Sequence, residues 1–174
     1  MNPEQRSLYL LNHARFFTLA SLGQDRLAWA STVNYVAIFE PLRLLWYSMR
    51  SAKHSINISL NAEVSGSLFL NNMQGISPLG LDGAQFTGIA REIPEYECEK
   101  AHHDYYLLNF PDALERARWQ LPLHEFYGSG PRRFYELIPG NWWLLDIDTW
   151  LKTKVDKRIS VPLTHLMASG EVKS

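Results

Sequence analysis

Apolar and polar positions alternate in short runs along the chain, and the period changes several times. Residues 3–14 open with a helical pattern: Leu8, Leu11 and Ala14 share a face, Asn2 stands at the N-cap, Pro3 suits the first helical position, and Gln5 completes a capping box. From Arg15 the period drops towards two. "RFFTLASL", "RLAWASTVNYVAI" and "LRLLWYS", separated by "GQD" and by Glu40-Pro41, read as three strands of a meander. "SAKHSINISLN" places Ile56 and Leu60 four apart and predicts a short helix that ends at Asn61. Strands resume at "EVSGSLFL" and, after the loop "NNMQGISPLG", at "LDGAQFTGIAREI", where Gly83 and Gly88 predict bulges or close backbone approach. Residues 94–121 are rich in helix formers, and Pro111 divides them into two short helices. "RRFYELI" and "NWWLLDI" flank Pro139-Gly140, a turn signal, and predict a closing hairpin on which Trp142 and Trp143 point to opposite faces.

Strands with a few short helices and no regular βαβ alternation predict a mainly β, α+β fold: a six- or seven-stranded antiparallel barrel. The length predicts one domain over residues 1–150, with residues 151–174 as a tail that packs on the body or on a dimer partner. Seventeen Lys and Arg against eighteen Asp and Glu leave a net charge of −1, so no global field draws the chain to nucleic acid or an anionic membrane. No run approaches the ~20 apolar residues that span a bilayer. A single cysteine, Cys98, excludes an internal disulfide framework, and no signal-peptide pattern opens the chain, so a cytoplasmic setting is expected.

Against this near-neutral background, "LLWYSMRSAKHSIN" concentrates positive charge where a predicted strand runs into a predicted helix. A phosphate needs donors and positive charge converging on a small volume, and a helix start adds free backbone N–H groups. Arg50 can grip two oxygens, Lys53 adds a point charge, Ser48 and Ser51 donate hydroxyls, and His54 contributes if its ring turns the same way. The spacing alone is weak evidence, because charged residues usually face solvent and a solvated turn has the same pattern.

The succession of segments resolves more than the spacing. "FFTLASL", "LAWASTVNYV", "LLWYSMRSAKHSINISLNAEVSGSLFL" and "GAQFTGIARE" together resemble the pyridoxamine 5′-phosphate oxidase-like family of FMN-binding split barrels. The likeness runs over residues 15–93 and resumes at "RRFYELIPGNWWLLD". Within the family it is similar to a small bacterial branch that shares the "GxQFxG" strand and a helix ending in "FP", here "NFPDALERA". The resemblance implies a Greek-key-like split barrel and a homodimer with FMN in two interfacial clefts. It further implies that Ala30, Ser31, Thr32 and Val33 line the isoalloxazine ring, that Tyr47 and Ser48 approach the ribityl chain and phosphate, and that Arg50, Ser51 and Lys53 hold the phosphate, with His54 beside them. Gln85 is assigned to the ring edge or the partner's side of the cleft. The paired arginine-lysine signature and C-terminal arginine motif of the oxidase itself have no counterpart, and Arg132-Arg133 opens a strand instead. The likeness therefore points to flavin binding more than to oxidation of pyridoxamine phosphate.

The implied activity is an oxidoreductase that passes a hydride through flavin N5, with NADH, NADPH or a small molecule as partner, and no side chain is assigned as catalytic. The alternative is a non-catalytic split barrel that binds flavin, haem or another anionic ligand, with His54, His102, His103, His124 or His165 as candidate axial ligands. No metal site is assigned. His102 and His103 point about 100° apart on a helix and cannot both address one ion without a third group. His124-Glu125 reads as surface, and the glutamates around Cys98 disfavour its thiolate.

Overall fold

Helix α1 (Pro3–His13) begins as its sequence dictates: the Asn2 side chain accepts from the Gln5 N–H at 2.8 Å and the Gln5 side chain accepts from the Asn2 N–H at 3.0 Å. In the computed structural model, residues 1–167 are described; residues 168–174 of the expected tail, and the side chains of His165 and Met167, lie outside the described residues. After α1 come β1 (Phe16–Leu22), β2 (Ala28–Asn34), β3 (Val36–Ile38), β4 (Arg43–Met49), α2 (Lys53–Leu60), β5 (Glu63–Leu70) and β6 (Asp82–Glu92). Helices α3 (Cys98–Asn109) and α4 (Ala113–Trp119) follow, broken at Phe110 to Asp112 where Pro111 forbids continuation. The chain then forms β7 (Arg132–Leu145), α5 (Ile147–Thr153), β8 (Arg158–Ser160) and α6 (Thr164–Met167).

The strands make a curled antiparallel sheet in the order β2-β1-β5-β6-β7-β4-β3, with β8 added to β7. Its two end strands, β2 and β3, are separated in sequence by Tyr35 alone, so the chain itself brings the ends of the sheet back together as a split barrel. This corrects the expected three-strand meander. "RLAWASTVNYVAI" serves two ladders, β2 on β1 and β3 on β4, while β4 pairs with β3 and β7. Tyr35 makes the corner: its ring is buried, and its hydroxyl donates to the Leu11 carbonyl at 3.2 Å.

The expected closing hairpin is also corrected. β7 is one strand that runs straight through Pro139-Gly140. Pro139 lies opposite Gly88, where the β6 register shifts between Thr87 and Gly88, and at such a bulge the missing proline N–H removes no ladder bond. Gly88 permits the approach, because a Cβ there would sit 2.3 Å from the Ile138 carbonyl oxygen. Pairing with β6 on both sides of the dipeptide overrides its local turn preference.

Inward-facing residues close the barrel: Phe17, Leu19, Leu44, Trp46, Leu68, Ala84, Phe86, Leu137, Trp142 and Leu144 are at most 2 % exposed, and Leu10 and Leu11 of α1 plug one end. Phe86 stacks on Trp142 at 5.1 Å, over the space that Gly66 leaves free. Val161 and Leu166, beyond β8, pack into the same core. A second cluster under α3 joins Leu45, Phe134, Ile93, Tyr105, Tyr106 and Phe126 on the outer side of β4 and β7. Beside it, Glu136 is buried and held by Arg43 at 3.0 Å and Arg91 at 2.5 Å.

The outer side of β2, β1, β5 and β6 has a different character. Paired residues there form rows of small side chains, Thr32-Thr18-Ser67, which ends on Gln85, and Ala30-Ala20-Ser65-Thr87. Phe16, Phe69 and Ile89 stand exposed at its margins. A cleft of about 560 Å³ runs along it, lined by Ala20, Ala28, Ser65, Thr87 and Asn141 among others.

Candidate functional site

Strand alternation decides where the end of β4 sends its side chains. Leu44, Trp46 and Ser48 face the barrel, whereas Leu45, Tyr47 and Met49 face the other way. Tyr47 accordingly packs on Tyr105 at 5.1 Å and Phe126 at 5.3 Å beneath α3, away from Ser48. The chain then turns, with the Ala52 N–H donating to the Met49 carbonyl, and enters α2. The methyl of Ala52 cannot cap that helix, and the first turn contains no acidic residue. The N–H groups of a helix start lack intrahelical partners, so this end presents free donors with uncompensated positive dipole. Asn57 is buried and donates to Ser21 Oγ at 3.0 Å, which fastens α2 to β1.

His54, in the first turn, ties the seam of the barrel. Its Nε2 lies 2.7 Å from Ser48 Oγ on β4, and its Nδ1 lies 3.0 Å from Ser31 Oγ on β2. The ring is half-buried, and burial pushes its pKa below the ordinary histidine value. Around it, Lys53 Nζ stands 3.9 Å from Asp25 Oδ2 in the β1–β2 turn, with both side chains largely in solvent. The exposed Arg50 guanidinium donates to the Gly128 carbonyl at 3.4 Å, and Ser51 is exposed.

The structure thus brings Ser31, Ser48, Arg50, Ser51, Lys53 and His54 to one end of the barrel and distributes the other candidates elsewhere. Val33 belongs to the core, and Ala30, Thr32 and Gln85 lie on the open outer sheet. The Gln85 side-chain oxygen accepts from Arg158 at 3.1 Å. Trp29 shares the Ser31 side of β2 and is 47 % exposed. Two contributors were invisible to sequence reasoning: Asp25, whose role depends on the turn that carries it to Lys53, and Asn57, buried by the seating of α2. The "GQD" turn was the only local signal for the first.

His102, His103 and His124 do not belong to this group. His102 is buried among Tyr106, Phe126 and Phe134, with Nε2 on the Leu121 carbonyl at 2.8 Å, and His103 and His124 are exposed. Cys98 is buried, and burial pushes its thiol pKa up. Among the described residues, no three His, Cys, Asp or Glu side chains are grouped to hold a metal ion. Nor is any described helix long and apolar enough to cross a membrane.

No protein-family profile matches the sequence, and no curated protein matches it. Solved structures do. A haem-binding protein from Mycobacterium smegmatis superposes with a TM-score of 0.66 at 14 % identity over 95 % of this chain, which spans only 60 % of that protein. A FAD-binding protein from Mesorhizobium loti gives 0.57 at 14 % identity, over 79 % of this chain and 90 % of the other. A candidate pyridoxamine 5′-phosphate oxidase from Listeria innocua gives 0.56 at 16 % identity, over 82 % of this chain and 98 % of the other. The fold is the split barrel of the pyridoxamine 5′-phosphate oxidase-like proteins. At these identities the likeness speaks for the split barrel alone, and function rests on the site.

Proposed function

We propose that this split barrel binds FMN, with the phosphate at the β4–α2 junction and the ring along β2, and that the bound flavin serves an oxidoreductase. The observation that carries the reading is the His54 ring joining Ser31 to Ser48 at an uncapped helix start that bears Lys53, lies beside Arg50 and has no carboxylate in its first turn. The residues fit a phosphate monoester. Arg50 and Lys53 offset its charge, the Ser48 and Ser51 hydroxyls and the first N–H groups of α2 donate to its oxygens, and Asp25 lies 3.9 Å from Lys53 at the margin. When bound, FMN supplies hydride exchange at N5 with a nicotinamide or a small organic substrate. The small side chains of Ala30 and Thr32 leave β2 open to a planar ring, and Trp29 offers an aromatic face on the Ser31 side.

The reading includes a homodimer built on the open sheet. Its rows of small side chains, its exposed Phe16, Phe69 and Ile89, and Gln85 at its β6 side suit burial against a second copy. Strands β1 to β7, within residues 1–150, then carry the FMN site, and Val161 and Leu166 complete the core beneath them.

Titration of the purified protein with FMN and with riboflavin, followed by flavin absorbance and fluorescence, tests the phosphate assignment. FMN should bind at least about tenfold more tightly, a difference of about 1.4 kcal/mol. Equal affinities would remove the phosphate from the junction. Light scattering at micromolar concentration should return the mass of a dimer, and a flavin-loaded monomer would overturn the interface.

A further inference from the structure

The Ser31–His54–Ser48 array has a property that follows from counting protons. A serine hydroxyl has one proton to donate and lone pairs to accept with, and a neutral imidazole donates from one nitrogen and accepts at the other. With the ring neutral, one serine accepts the ring N–H and keeps its own proton for an outside acceptor, while the other spends its proton on the bare ring nitrogen. With the ring protonated, both nitrogens donate inward at the observed 2.7 and 3.0 Å, and both hydroxyl protons are released to point outward. Protonation therefore doubles the outward donors of the pair and adds a positive charge beside them. An anion gains from both changes.

We propose that His54 takes up a proton when a phosphate monoester binds at the β4–α2 junction, so that Ser31 and Ser48 both become donors towards the ligand side. This rests on the phosphate seat proposed above. The proton comes from solvent and stays on the ring, and no bond other than N–H forms. In the unliganded protein the balance lies with the neutral ring, which burial favours. Few other charges compete for control of it. Helix α2 packs on β1, β2 and β6. Neither β1 nor β2 has a titratable side chain, and the charged residues of β6 are engaged at its ends: Asp82 with Arg6, Arg91 with Glu136, and Glu92 with Arg133. Lys53 and Asp25 offset each other, and the Arg50 guanidinium is turned to the Gly128 carbonyl. On β7, the Tyr135 phenol lies beside Ser55 and stays neutral because burial raises its pKa. The bound dianion is thus the charge that tips His54.

Calorimetric titration at pH 7.5 in buffers of different ionisation enthalpy counts protons directly. At that pH free FMN is mainly dianionic, its second phosphate pKa lying near 6. The expected result is uptake of about one proton per FMN bound, none per riboflavin, and none per FMN in His54→Gln, whose amide keeps one donor and one acceptor but cannot charge. FMN binding with no proton uptake in the natural protein would overturn this inference and leave the phosphate seat standing. Uptake that persists in His54→Gln would assign it to another group, which also overturns it. Failure of FMN to bind at all would remove the seat and the inference together.

Discussion

Replacing Arg6 by methionine lowers the unfolding free energy by about 3–5 kcal/mol. Asp82, at the start of β6, is 2 % exposed, and its carboxylate receives two bonds from Arg6, at 2.7 and 2.8 Å, besides one from the Gly83 N–H at 2.8 Å. The same guanidinium donates to the Leu145 carbonyl at 3.0 Å, so one side chain from α1 ties the start of β6 to the end of β7. Methionine keeps the apolar stem but strands the carboxylate in a site that water barely reaches, and an unpaired buried charge costs more than the pair gains. The double variant Arg6→Met/Asp82→Leu removes both charges and should recover most of the loss. Urea unfolding of the three proteins checks both statements. A loss under about 1 kcal/mol in Arg6→Met, or a double variant no more stable than the single, would show that the pair does not hold α1 to the barrel.

How much of this was legible in the sequence varies from element to element. The capping residues of α1 act through contacts three residues apart, and the alternation of "FFTLASL" and "EVSGSLFL" reports burial on one face, so local reading located both kinds of element. Pro139-Gly140 misled it because the dipeptide's turn preference is local, whereas the ladder from β6 that straightens β7 comes from some fifty residues away. β8 is too short to show a period and exists because β7 offers it an edge. The same limit applies at the site. The basic cluster is contiguous and therefore visible, but which way Ser48 and Tyr47 point depends on the face of β4 that meets the core, and Ser31 comes to His54 only because the two ends of the sheet curl together.

That division of labour sets up the second large effect. Arg50 and Lys53 are exposed and make only long contacts, at 3.4 Å to a carbonyl and 3.9 Å to a carboxylate, so neither contributes much to folding. Arg50→Ala/Lys53→Ala should leave stability within about 0.5 kcal/mol of the natural protein. Its FMN affinity should fall by a hundredfold or more, about 2.7 kcal/mol, since a charge-assisted bond to a bound anion contributes about 1.5–3 kcal/mol and solvent exposure places these two near the lower value. Riboflavin affinity should hardly change, because nothing else at the β4–α2 junction has been altered. Raising the salt concentration should weaken FMN binding to the natural protein and much less to the variant, as the screened charges are those removed. If the variant binds FMN as tightly as the natural protein while remaining folded, the positive charge at the end of β4 belongs to solvent, and the flavin phosphate must lie elsewhere on the barrel.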